Sequence, residues 1–281
     1  MKKLCLGLMG CLKTPVKNQI ALYSSLGFDG FFTGWSYGLD LKEFRKNANE
    51  QGMIYQSVHA PFTKMAHLWR PDEDMARAAE NELVSCLEAV SGVEVPICVM
   101  HAFIGFDEHD PREEYLCRFD RIIERAKELG VTVAFENTEG EEYLDMLLTH
   151  FESCPGVRFC WDSGHEMCYN HSRDLIAKYG KRLVCTHIND NLGISDKNGK
   201  TTWLDDLHLL PGDGTGDWEY NAKRLAGLEL DTLTFELTVN SKPGRNENDR
   251  HKMMTDEAYL CEVYKRGKDF ARLVEAWEDR A

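Results

Sequence analysis

The sequence has no Lys/Arg-rich run, no CxxC pair, no apolar stretch long enough to span a bilayer and no low-complexity segment. Each absence removes a class of function. Lys and Arg number 33 against 47 Asp and Glu, a formal net charge of −14. An acidic chain without a basic stripe is repelled by nucleic acid and by anionic membrane surfaces. Nucleic-acid and membrane partners are therefore not expected. Several of the ten Cys lie inside apolar runs (Cys5, Cys98, Cys160 and Cys185), which reads as buried free thiols rather than a disulfide framework. Free thiols and acidic balance together predict a cytoplasmic protein. Met1-Lys2-Lys3 ahead of Leu4–Met9 and Gly10-Cys11 has the outline of a lipoprotein leader. Its apolar part is short and Lys13 follows, so Leu4–Met9 is read as the first core strand.

What is present is an ordinary globular composition, 43% hydrophobic and 28% charged, which excludes collagen-like and disordered chains. At 281 residues the chain can bury a core without a structural metal. Strand-like runs are expected at Leu4–Met9, Gly30–Thr33, Ile54–His59, Ile97–His101, Val131–Glu136, Val157–Asp162, Leu183–Ile188 and Thr232–Leu237. Helix-like stretches follow each one. They are Thr14–Ser25 (with Gly27 as its stop), Asp40–Gln51 (Asp40 as N-cap), Asp74–Val90 and Asp110-Pro111 through Leu129. The rest are Glu141–His150, Arg173–Tyr179, Asp217–Ala226 (Asp217 as N-cap) and Asp256–Trp277. Strict alternation of eight and eight predicts an α/β fold, a (β/α)8 TIM barrel with parallel strands, as a single domain over residues 1–281. A doubly wound open sheet is the alternative. The lack of a Gly-rich phosphate fingerprint after the first strand weakens it.

Six of the eight expected strands end in a reactive side chain: His59, His101, Glu136, Asp162, His187 and Glu236. One such residue alone is a hydrogen-bonded structural group or a helix cap. Six in the same phase converge on the C-terminal rim of a barrel, where active sites sit. Glu136, Asp162, His187 and Glu236 offer three carboxylates and an imidazole. That set suits one divalent ion, Zn²⁺ or Mn²⁺, with Mg²⁺ or Co²⁺ also accommodated. No ligand is Cys, which argues against a structural zinc. A second cluster lies in the loop after the seventh strand, where Asp206 and His208 flank one residue ahead of Gly212, Gly214 and Gly216. Those glycines allow tight turns near a ligand. Trp35, Phe62, Trp69 and Trp161 lie near strand ends, where flat rings pack on sugar faces. Core packing accounts for any one of them equally well. Lys242, Arg245 and Arg250 follow the eighth strand, as phosphate or carboxylate anchors or as solvated surface.

The order and strand phase of these residues resemble the xylose-isomerase-like TIM-barrel superfamily, which includes sugar epimerases and isomerases, inosose enzymes and endonuclease IV. The resemblance runs from His59 to Glu236. It implies that Glu136, Asp162, His187 and Glu236 bind one divalent ion and that Glu136 and Glu236 form the acid/base pair. It also implies that His165, in Asp162-Ser163-Gly164-His165, contacts substrate. His59, His101, Asp206, His208, Trp35, Phe62 and Trp161 complete the expected substrate-binding set. The tagatose/psicose epimerases would have an Arg six residues after His187. Gly193 stands there instead, which points away from that narrow branch. The loop His208-Leu209-Leu210-Pro211-Gly212-Asp213-Gly214 resembles the broader sugar phosphate isomerase/epimerase group.

The expected activity is a metal-dependent isomerisation or epimerisation of a small sugar, sugar phosphate or inosose. It proceeds by proton abstraction next to a carbonyl through an enediolate. An inosose-type dehydratase or lyase shares the first half of that reaction. Endonuclease IV uses nine ligands for three zinc ions, and all nine have counterparts: His59, His101, Glu136, Asp162, His165, His187, Asp206, His208 and Glu236. A multinuclear zinc phosphodiesterase therefore stays open on ligands, and the charge of −14 opposes it. An inactive sugar-binding barrel would need a missing ligand, and none is missing. A homo-oligomer is compatible with all of these readings.

Overall fold

The computed structural model describes residues 1–106 and 109–280. Its strands are β1 (Lys3–Gly7), β2 (Gly30–Gly34), β3 (Ile54–His59), β4 (Ile97–His101), β5 (Thr132–Glu136), β6 (Val157–Asp162), β7 (Leu183–His187) and β8 (Thr232–Phe235). They pair in parallel in the order β7-β6-β5-β4-β3-β2-β1-β8. The two ends of this sheet meet. Ile188 N donates to Thr234 O (2.8 Å) and Glu236 N donates to Ile188 O (3.2 Å). The sheet is therefore a nearly closed barrel, and the open doubly wound alternative is set aside.

The helices are α1 (Val16–Leu26), α2 (Leu41–Gln51), α3 (Glu73–Ser91), α4 (Leu116–Glu128), α5 (Glu141–His150), α6 (Ser163–Cys168), α7 (Leu175–Tyr179), α8 (Trp218–Leu225), α9 (Asp249–Lys252) and α10 (Asp256–Glu278). Asp40 and Asp217 cap as expected, accepting from Lys42 N and Tyr220 N at 2.9 Å each. Two departures from the sequence reading have local causes. Asp110-Pro111 does not open α4. Asp110 accepts from Arg112 Nε (2.7 Å), its backbone N donates to the Tyr143 hydroxyl (3.0 Å), and Arg112 is extended. The helix begins only after a 3₁₀ turn at Glu113–Tyr115. The short helix α6 follows β6 without a loop, because Asp162 Oδ1 accepts from His165 N (2.6 Å) and caps it at once.

Side chains alternate across each strand. Ile97, Val99, Ala134, Cys160 and Cys185 form a small apolar cluster inside the barrel. The residues between them, such as Cys98, Met100, Phe135, Phe159 and Trp161, join the large core between barrel and helices. This parity corrects one expectation. Trp161 lies between inward-facing Cys160 and Asp162, so the pleat turns it outward. It is fully buried, its Nε1 donates to Glu166 Oε2 (2.9 Å), and the Arg224 guanidinium lies 5.1 Å from its ring centre. It cannot touch a substrate. Trp69 is buried as well, donating to Ala102 O (3.0 Å).

Candidate active site

His101, Glu136, Asp162 and His187 each stand two residues beyond an inner-cluster residue: Val99, Ala134, Cys160 and Cys185. The period of two carries that inward face to the barrel mouth. Glu136 occupies the floor with no exposed surface. Its Oε2 lies 3.1 Å from His59 Nε2 and 3.7 Å from His101 Nε2. Its Oε1 lies 3.2 Å from His187 Nδ1 and 3.3 Å from His165 Nδ1. His187 Nδ1 is also 3.3 Å from Glu236 Oε2, and its ring stacks on Phe32 at 4.7 Å. Asp162 is held from three sides. His165 N and Asn189 Nδ2 donate to its carboxylate (2.6 and 2.9 Å), and its own N donates to Asn137 Oδ1 (2.8 Å). A Cβ at Gly164 would overlap the Asn189 amide, so glycine is required there.

The rim is built from the segment between β7 and α8. Asp190, fully buried, gathers it. Its carboxylate accepts from the backbone N of Asn191 (2.8 Å), Gly212 (2.7 Å) and Gly216 (2.9 Å), and from Trp218 Nε1 (3.0 Å). Gly214 lies so close to Asn191 that any Cβ would strike its backbone. The glycines thus wrap the Asp190 carboxylate, where the sequence reading placed a ligand. This wrapping delivers Asp206 and His208. His208 Nε2 is 2.9 Å and His165 Nε2 3.5 Å from Asp206 Oδ1, and Lys242 Nζ is 3.2 Å from Asp206 Oδ2. His208 adopts φ 45°, a left-handed conformation that a non-glycine residue keeps only when its surroundings impose it.

Charges alternate through the site. Burial alone would raise the Glu136 carboxyl, but His187, His165 and His59 hold it well below its usual range. Burial, with the neighbouring charges of Glu136 and Glu236, raises Asp162 to about 6 against the pull of His165. Burial opposes charge on His187 and His208. Glu136 and Glu236 nevertheless raise His187 to about 10, and Asp206 raises His208 to about 9. His165 is likewise raised by Asp162 and Asp206 against burial. His101 is the exception, kept neutral chiefly by burial. Buried carboxylates in this density need positive charge beside them. The donor set therefore fits a divalent cation. Ligand atoms of Glu136, Asp162, His187 and Glu236 lie within 4.8 Å of one another, as do those of His165, Asp206 and His208, and those of His59, Glu136 and His187.

Above the floor opens a pocket of about 640 Å³. His59, His101, His165, Asp206, His208, Glu236, Trp35 and Phe62 all line it. So do Glu139, Tyr169 and Trp203, which the sequence reading missed. Glu139 lies three residues past Glu136 in a loop that has no periodicity to betray its direction. It accepts from Gly105 N (2.6 Å), and burial raises its carboxyl. Of the three cations considered from sequence, Lys242 faces the pocket. Arg245 is bound to Asp205 and Glu247, and Arg250 to Asp213.

Residues 20–257 match the family described as xylose isomerase-like TIM barrel. The uncharacterized protein y4fM of Sinorhizobium fredii is 28% identical over 243 residues, covering 74% of this chain and 75% of that protein. Two solved structures superpose along almost the whole chain. A D-tagatose 3-epimerase-like protein has a TM-score of 0.74 at 16% identity, covering 98% of this chain and 99% of that one. An IOLI protein with a bound zinc atom has a TM-score of 0.73 at 16% identity, covering 99% of each. At these identities the likeness speaks for the fold.

Proposed function

The chain belongs to the xylose isomerase-like TIM barrel family, and on that premise we propose that it is a divalent-metal-dependent sugar isomerase or epimerase. The observation that carries the reading is the convergence of Glu136, Asp162, His187 and Glu236, of which Glu236 lines an open pocket and the other three are fully buried beside it. The zinc of the IOLI structure and the epimerase-like neighbour agree with it. These four residues would hold the ion, which supplies Lewis-acid polarisation of a carbonyl oxygen when bound. The two Glu are unequal. Glu136 is enclosed and already committed to several imidazoles. Glu236 keeps 27% of its side chain exposed and lines the pocket. Glu236 is therefore the better placed to take a carbon-bound proton from substrate, with Glu136 as its partner across the floor. Return of the proton to the same carbon on the other face inverts it. Return to the neighbouring carbon isomerises.

The test is solvent-deuterium incorporation into a panel of ketoses and inososes, read by mass spectrometry on metal-loaded protein. Exchange by wild type and its loss in Glu236→Gln, with substrate binding retained, is the expected result. Exchange undiminished in Glu236→Gln would remove its role.

One observation favours a second reading. His165, Asp206 and His208 form a ligand group of their own, as a multinuclear phosphodiesterase requires. Against it stand the charge of −14 and a pocket where Lys242, paired to Asp206, is the one Lys or Arg among the described lining residues. Elemental analysis separates the two. One metal per chain, unchanged by Asp206→Ala/His208→Ala, supports the isomerase. Two or three metals, falling in that variant, would support the phosphodiesterase.

A further inference from the structure

The rim has the outline of a second ion site, and one residue stands against an ion there. His165 Nδ1 donates to Asn137 O (2.9 Å) and His208 Nδ1 donates to Glu236 O (3.2 Å). A carbonyl only accepts, so both rings carry a proton on Nδ1. When neutral, each turns the lone pair of its Nε2 toward Asp206 Oδ1. Imidazoles fixed in this way through their other nitrogen are the usual form of metal ligands. With Asp206 they make three protein ligands, enough for a zinc ion with an open position.

Lys242 sits on the other oxygen of the same carboxylate. Its Nζ is 3.2 Å from Asp206 Oδ2, and among the described residues Asp206 is its one ion-pair partner. This pair is built into the backbone. The segment after β8 grips both sequence neighbours of Asp206. Arg245 Nη1 donates to Asp205 Oδ1 (3.2 Å), and Asn248 Nδ2 donates to Leu207 O (3.1 Å). Lys242 is thereby delivered to Asp206, with its ammonium 5.5 Å from the Trp203 ring centre and 22% of its side chain exposed.

Charge separates the rim from the floor. The floor group has three carboxylates and one imidazole. Among the described residues those carboxylates make ion-pair contacts with imidazoles and with no Lys or Arg. With neutral imidazoles the floor carries three negative charges, and a divalent ion removes most of them. The rim group has one carboxylate and two imidazoles, and Lys242 already makes it neutral. A divalent ion there would stand uncompensated beside an ammonium, and any proton on His165 or His208 would add to the repulsion. Glu139 lines the same pocket, accepts from Gly105 N and belongs to neither group.

We infer that Lys242 holds the place of a second metal ion: its ammonium neutralises Asp206 and keeps the rim empty, so that the chain takes one divalent ion, at the floor. This rests on the reading of the floor as a metal site and adds the residue that sets the ion count. Lysine suits the task as a compact point charge on a flexible stem.

Equilibrium dialysis against Zn²⁺, followed by elemental analysis, counts ions per chain. Lys242→Met keeps the stem and removes the charge, Lys242→Ala removes both, and Lys242→Arg keeps the charge. Expected is one zinc in wild type and in Lys242→Arg, and two in Lys242→Met and Lys242→Ala. Adding Asp206→Ala/His208→Ala to Lys242→Met should return the count to one. No gain in Lys242→Met and Lys242→Ala overturns the inference. So does an equal gain in Lys242→Arg, a gain that survives removal of Asp206 and His208, or a wild-type ion that disappears with them. The role of Lys242 is read from the increment between wild type and variant, whatever the floor holds. A wild type without zinc whose Lys242→Met variant gains one therefore removes the floor reading alone. Deuterium exchange stays a separate readout. Its absence, with the zinc counts as expected, removes the isomerase reading and leaves this inference. Its presence without the increment removes this inference alone.

Discussion

Glu136 at the floor and Asp206 at the rim are both carboxylates held between imidazoles, and they reach that state by different routes. Glu136 is placed by the pleat of β5, with strand neighbours on either side and no exposed surface. Asp206 is placed by a segment whose course depends on Asp190, on Asn191 donating to Asp205 O (2.8 Å), and on Asp213 bound to α9 and α10. The floor inherits its geometry from regular structure. The rim needs a dedicated polar network, and it stores local strain at His208. The comparison teaches that, on the proposed function, the chemistry would sit on regular strands and the surrounding specificity on a segment held by its own polar network.

Breaking the floor should have the largest effect. Glu136→Gln keeps the shape and removes the charge that four imidazoles face. Deuterium exchange should fall by about 10³-fold or more, and bound metal per chain should drop. Far-UV circular dichroism should stay that of wild type, since β5 pairs with β4 and β6 through backbone groups and not through this carboxylate. Exchange within tenfold of wild type would mean that floor and rim have been assigned the wrong way round.

Breaking the rim's anchor should cost stability first. Asp190→Ala leaves four donors without their acceptor, three of them backbone groups. The expected loss is about 3 kcal/mol in urea unfolding. Protease should cut between residues 191 and 216 sooner than in wild type. A variant as stable as wild type would show that the segment is held by something other than this carboxylate. Asp206→Ala/His208→Ala sharpens the contrast from the other side. It should lower kcat/KM by about tenfold, or roughly 1.4 kcal/mol, with the floor metal retained.

The same contrast decides what could be read before the structure was known. The floor was legible because strands repeat every two residues, so His101, Glu136, Asp162 and His187 announce themselves in phase. Trp161 shows the limit of that reading when parity is ignored. It adjoins Asp162 in sequence and faces the opposite side of the sheet. The rim was legible only in part. Asp206 and His208 stood out by residue type, whereas Glu139, Tyr169 and Trp203 sit in segments without a period. Nothing in their spacing says which way they point. The glycines after His208 were visible, but their partner, Asp190, is distant in sequence and becomes evident only through its hydrogen bonds.

The smallest effect expected concerns the outer tie of the rim. Burial alone would raise the Asp213 carboxyl, but His251, Arg250 and Arg266 together hold it well below its ordinary value. A carboxyl whose folded value is depressed contributes stability that is complete above its unfolded value, about 3.9, and disappears as the pH falls toward the folded one. Asp213→Asn should therefore cost about 1–2 kcal/mol at pH 7, a figure that allows for solvent screening of partly exposed arginines. The gap between variant and wild type in urea unfolding should stay constant from pH 7 to pH 5 and narrow below pH 4. A gap that widens on acidification would reverse the sign of the linkage and place the tie elsewhere. A constant gap down to pH 3 would assign the cost to lost packing at Asp213 and remove it from the rim's electrostatic anchors.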